Sequence, residues 1–290
     1  MKTKTVSSVF TPPQPHFVGD GFRVHNFIPG IPELHMQRMT PFIMLDYNSK
    51  YTFPPSATPK GVGVHPHRGF ETVTIAYKGK VSHHDSSGGG GTIGEDEVQW
   101  MTAGSGVLHK EYHEEKFSQK GGDFQMVQLW VNLPAKHKMT PPKYQGIEKH
   151  QIPKVSIPKG EVQVISGNYN DQKGAASTFS PLHMFNVLLE KGGNAEFSFP
   201  VNYTTLLLVI EGKIAVNNND TVLVDNLAYF NDDGENFNIS ASENSKILIL
   251  SGEPIQEPIA AHGPFVMNSR EEIIQAMEDF NSGKFGVLED

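Results

Sequence analysis

The chain has 290 residues, 37% hydrophobic and 19% charged, enough for a buried core and, on size alone, about two domains. A net charge of −8 argues against broad phosphate-backbone binding, which needs clustered Lys and Arg. With no cysteine, disulfides, thiolate catalysis and sulfur-ligated zinc are excluded, so any metal must be held by His and carboxylate. The 28 glycines and 20 prolines fit a turn-rich β protein better than a helical bundle.

In chain order, Met1-Lys2-Thr3-Lys4 is not followed by the apolar core of a secretory signal. No apolar run is long enough to span a membrane. The expectation is a cytoplasmic protein, or a nuclear one in a eukaryote. The first informative feature is His65-Pro66-His67. Alternate residues of a β-strand share a face, so a strand here aims two imidazoles at one point. Gly61 and Gly63 before it let the backbone bend toward a barrel mouth. Thr72 to Tyr77 is β-rich and runs into the turn Lys78-Gly79-Lys80. His83 and His84 are adjacent and so point to opposite faces, which suits structural or surface roles. Gly88 to Gly91 lacks the Lys-Ser/Thr of a phosphate loop and reads as a hairpin connection.

After the loop Thr102 to Gly106, His109-Lys110-Glu111 repeats the alternate spacing. The two triplets together offer three imidazoles and a carboxylate, a set suited to iron, nickel, copper or manganese. Four protein ligands leave two positions open on a six-coordinate ion, and Glu111 can also take a substrate proton. His113 continues the same phase, although a solvated loop is the blander and preferred reading for it. Trp100 and Trp130 read as core residues. Gln125 to Val131 is a further strand.

Residues 135–160, with Pro141, Pro142, Pro153 and Pro158, read as a linker between β-rich halves at 1–134 and 161–260. The second half contains strands at Met184–Leu189, Leu206–Ile210 and Ile214–Val216. Its segment Leu208 to Ile214 resembles Ile75 to Val81, a weak internal duplication. The picture is two stacked β-barrels. His183 has no partner triplet, so no metal is expected in the second barrel. The tail 261–290 carries a helix over 270–282. Ser269 and Glu272 form its capping box, Gly283 ends it, and Ile273, Met277 and Phe280 are expected to pack on a barrel wall.

Gly61 to Thr74 and Gln99-Trp100-Met101-Thr102-Ala103-Gly104 with His109-x-Glu111 resemble the signature of the pirin family, within the cupins. The likeness extends to Gly19-Asp20-Gly21-Phe22, Gln128 to Pro134, Gly252-Glu253-Pro254 and His262 to Asn268. It implies an all-β bicupin with two jelly-roll-like barrels, and one mononuclear transition metal in the N-terminal barrel. The metal implied is iron, with nickel, copper, cobalt, manganese or zinc as alternatives. The implied ligands are His65, His67, His109 and Glu111. Glu71 stays outside the ligand set, as a hydrogen-bonding neighbour.

The resemblance implies quercetin 2,3-dioxygenase activity, an oxidoreductase cleaving a flavonol with O2. The alternative it implies is an iron-dependent protein-binding regulator without essential turnover, either a transcriptional cofactor or a modulator of a metabolic enzyme. Ser105, where relatives often have Arg, and Tyr112 to Glu115, in place of a common Met-Pro, depart from the pattern beside the site and bear on substrate fit. Partners expected are a small aromatic substrate and O2, with no direct nucleic acid contact. Two barrels in one chain already resemble a cupin dimer, so a monomer is expected.

Overall fold

The computed structural model describes residues 2–289. Its Cα positions group into two compact units, residues 13–149 with 255–290 and residues 1–12 with 150–254. Each unit contains one seven-stranded and one four-stranded sheet, and their ladders are antiparallel. In the first unit, the seven-stranded sheet includes Phe42–Phe53, Phe70–Lys78, Glu97–Thr102 and Gly122–Asn132. The four-stranded sheet runs Gly61–His67, Val107–His113, Val81–Asp85, Gly90–Ile93. In the second unit, the seven-stranded sheet is centred on Thr204–Glu211 and Ser245–Gly252. The four-stranded sheet there holds Asn194–Ser198, Asn236–Ala241, Lys213–Val216 and Asp220–Leu223.

This common plan gives the weak sequence duplication a structural basis. In each unit a long buried strand, Phe70–Lys78 or Thr204–Glu211, ends at a glycine and passes into the four-stranded sheet. Gly79 has φ +80 and Gly212 has φ +84, a conformation that costs a side chain-bearing residue but not glycine. The core of the second unit is one apolar cluster that includes Phe185, Phe197, Phe237, Leu207 and Ile249.

The boundaries differ from the chain-order division into 1–134, 161–260 and a tail. Residues 1–12 group with the second unit because Val6–Phe10 pairs with Leu227–Phe230. Residues 255–290 group with the first unit, where Phe265 and Met267 pack with Ile273, Ala276 and Phe285. The segment 135–160 is not an open linker. Lys143–Ile147 adds to the edge strand Glu97–Thr102, and Lys154–Ile157 pairs with Gly160–Ser166 in the other unit.

The C-terminal helix spans Arg270–Asn281 with the expected Ser269–Glu272 capping box, and Gly283 follows it at φ +78. Its buried face differs from the apolar stripe expected. Ile273, Ala276 and Asp279 are buried, whereas Met277 and Phe280 are exposed. Asp279 is drawn inward by Arg68, whose guanidinium donates to it at 2.9 Å.

Candidate metal centre

The strand Val107–His113 alternates strictly, with Val107, His109, Glu111 and His113 buried. It pairs with Gly61–His67 so that His109 lies opposite His65 and Val107 opposite His67. The register then slips, and Glu111 faces Val62. Such a bulge re-aims side chains and is common beside active sites. The turn that releases the strand after His67 needs Gly69, at φ +89 with its α-carbon against the Val266 carbonyl.

The three imidazoles converge. Ring centroids lie 4.2 Å apart for His65 and His109, 4.7 Å for His67 and His109, and 4.8 Å for His65 and His67. One nitrogen from each lies within 4.8 Å of the others. Each Nδ1 is engaged elsewhere: His65 with the Gly63 carbonyl at 2.8 Å, His67 with the Pro264 carbonyl at 3.3 Å, and His109 with His83 at 3.4 Å. The Nε2 atoms are left as donors. That of His109 is buried and has no hydrogen-bond partner, a costly state for a polar atom unless a ligand satisfies it.

Burial first, and then the neighbouring imidazoles, hold His67 and His109 well below the usual imidazole range. Both rings are therefore neutral, the form that ligates metal. This donor set suits a single metal ion. Phe70 and Trp130, stacked at 4.2 Å, wall the site beside His67.

Glu111 is buried on the same strand but is not in the group of converging donors. Its carboxylate is taken up by neighbouring polar side chains. Oε1 accepts from Gln99 and from Thr74 Oγ1 at 3.2 Å, and Oε2 accepts from Gln128 at 2.6 Å. Glu71 is buried and accepts from Thr102 at 2.7 Å.

Three residues sit differently from expectation. His113 is neither a pocket residue nor a solvated one. It is buried among Phe22, Phe53, Phe117 and Phe124, with Nε2 2.8 Å from the Gly21 carbonyl. His83 and His84 do point to opposite faces, but only His84 is at the surface, stacked on Tyr112. His83 is fully buried against His109. Trp100 is a core residue, while Trp130 is half-buried beside His67. The neighbours that sequence reasoning missed, His83 and Asp85, carry the same alternate spacing as the two triplets. That spacing was the available signal.

Comparison with known proteins also finds two cupin domains, in chain order, with the second match running on into residues 255–286 of the first unit. A family model described as Pirin matches residues 21–131, and one described as Pirin C-terminal cupin domain matches residues 184–286. A crystal structure of quercetin 2,3-dioxygenase from Acinetobacter baumannii superimposes with a TM-score of 0.93 at 48% identity, over 99% of this chain and 100% of that one. A Pseudomonas aeruginosa protein provisionally named a quercetin 2,3-dioxygenase is 46% identical over 97% of this chain and 98% of its own. Pirin-1 of Arabidopsis thaliana is 36% identical over 92% of this chain and 90% of its own. Both units are thus cupin barrels, and the fold is all-β with a short C-terminal helix. No helix among the described residues is long and apolar enough to cross a membrane.

Proposed function

This chain belongs to the pirin family, and on that premise we propose that it is a metal-dependent quercetin 2,3-dioxygenase that cleaves flavonols with O2. The observation that carries the reading is the three-histidine cluster with its buried, unpartnered His109 Nε2. The A. baumannii structure of that name, alike over nearly the whole chain, supports the substrate class. A transition metal bound there, iron in this reading, supplies Lewis-acid and redox chemistry for a flavonol and O2.

The chain's own residues do the rest. His65, His67 and His109 hold the ion through Nε2, each ring oriented through its Nδ1. Glu111 would be the fourth ligand in the resting protein and would accept the flavonol 3-hydroxyl proton at the same oxygen once substrate takes its place, because one free lone pair serves one partner at a time. An ionised carboxylate offers about four lone-pair sites, so Oε2, which accepts one hydrogen bond from Gln128, keeps one free. Gln99 and Gln128 fix its orientation. Phe70 and Trp130 keep water from the His67 side.

The test is metal analysis of the purified protein, with flavonol absorbance and carbon monoxide release followed in air. His65→Ala is expected to lose the metal and the turnover together. Glu111→Ala is expected to retain much of the metal but to lose about 100-fold or more in kcat, the usual scale for a general base. A fully loaded protein that releases no carbon monoxide would overturn the dioxygenase and leave the iron-dependent protein-binding regulator as the better reading.

A further inference from the structure

A second polar chain lies beside the histidine cluster, and the chemistry above does not use it. His83 and Asp85 occupy alternate positions of the strand Val81–Asp85 and are 0% and 5% exposed. That strand pairs with Val107–His113, placing Asp85 opposite His109 and His83 opposite Glu111. His83 is thus the diagonal neighbour of His109 on the inward face. Its Nε2 lies 3.1 Å from Asp85 Oδ2, and its Nδ1 lies 3.4 Å from Nδ1 of His109. The Tyr144 ring stacks on His83 at 5.0 Å and 17°.

Asp85 is fixed from its other side. Oδ1 accepts from Ser87 N at 2.9 Å, Ser87 Oγ at 2.6 Å and Gly89 N at 3.0 Å. Burial pushes this carboxyl up, but hydrogen bonds from His83, Ser87 and Gly89 outweigh it and bring it down to about 2.

The direction of the chain follows from what each atom can do. An ionised carboxylate only accepts, so His83 Nε2 carries a hydrogen. From the other end, an imidazole that gives Nε2 to a metal must carry its hydrogen on Nδ1. His109 Nδ1 therefore donates to the bare Nδ1 of His83. Both ends demand the same arrangement, and the unpartnered His109 Nε2 is the atom it leaves free.

We propose that Asp85 and His83 are positioning residues for the metal centre, a two-residue chain that fixes the tautomer and ring angle of His109 and so presents its Nε2 lone pair to the ion. Outer partners of this kind typically account for 10- to 100-fold in metal affinity. The inference rests on the three histidines as ligands and not on the dioxygenase reading.

Asp85→Asn tests the direction. Three donors crowd the Oδ1 position, so the amide oxygen stays there and the NH2 faces His83. Every hydrogen bond in the chain then reverses, and His109 is left with its hydrogen on Nε2. The full-length protein is stripped of metal, titrated with Co(II), and examined by histidine nitrogen NMR in the metal-free state. Wild type is expected to show His109 protonated on Nδ1. Asp85→Asn is expected to move that proton to Nε2 and to weaken Co(II) binding about 10- to 100-fold.

A second pair stands independently should Asp85→Asn fold poorly. His83→Gln offers a carbonyl to His109 and is expected to keep Co(II) affinity near wild type, whereas His83→Leu offers nothing and is expected to lose it. A wild-type His109 protonated on Nε2, an unchanged affinity in Asp85→Asn, or equal losses in the two His83 variants would overturn the proposal. No readout involves a flavonol, so a wild type without turnover would strike the dioxygenase alone.

Discussion

Glu71 holds a proton at a pH where most carboxyls have lost theirs. Burial raises it to about 7, against an ordinary value of 4.5, although Thr102 donates to it. Between those values the folded chain keeps a proton that the unfolded chain releases. Stability should therefore fall as pH rises from about 4.5 to about 7, and level off above. Glu71→Gln should remove that slope. The variant is expected to gain about 3 kcal/mol over wild type at pH 8 and little at pH 4, at ~1.4 kcal/mol per pKa unit. Denaturant melts at both pH values check it.

At this scale the sequence was informative where spacing alone settles direction. His65, His67 and His109 could be read because alternate strand positions share a face. The surroundings of Glu111 could not, because Gln99 and Gln128 approach from strands whose pairing no local pattern encodes. His113 kept the right phase, yet it lies two alternate positions beyond His109, where the barrel is filled with phenylalanines.

Among the elements, the pair Gly61–His67 and Val107–His113 controls the site. Gly61 lies so close to the Glu111 carbonyl and Tyr112 that a β-carbon there would collide with backbone. Gly61→Ala is expected to push the strands apart and cost about 1–3 kcal/mol, the usual range for overpacking. It should also weaken metal binding, because His65 and His109 face each other across this pair. A thermal melt beside a Co(II) titration reads both effects. The helix Arg270–Asn281 was legible from its cap, which is a local signal. Its buried face was not, because Asp279 turns inward for Arg68, a partner 211 positions away. The long apolar strands were legible too. The short strand Gly90–Ile93, mostly exposed, carries no such signature and forms only against Val81–Asp85.

The whole molecule shows where reading along the chain stops being sufficient. Two β-rich halves were visible, but each compact unit also takes in a stretch from the other end of the sequence. Nothing in Val6–Phe10 announces Leu227–Phe230 as its partner. The consequence can be tested by truncation. Removing residues 255–290 is expected to abolish Co(II) binding, because Pro264 orients His67 and Phe265 and Phe285 pack beside the ligand strand. Removing residues 1–12 is expected to lower the melting temperature of the other unit and leave Co(II) affinity near wild type. Calorimetry of both truncated chains distinguishes the two effects.

The carbonyl of Pro264 that steadies His67 also sets a timetable. A ribosome makes the histidine 197 positions earlier than that carbonyl and must finish the entire second unit in between. The strands that carry the three histidines are thus among the early products of translation, while the piece that steadies one of these residues emerges near the end. A nascent chain halted after the second unit would carry all three imidazoles and still lack the carbonyl that steadies one of them, so the histidine cluster is completed only near the end of synthesis.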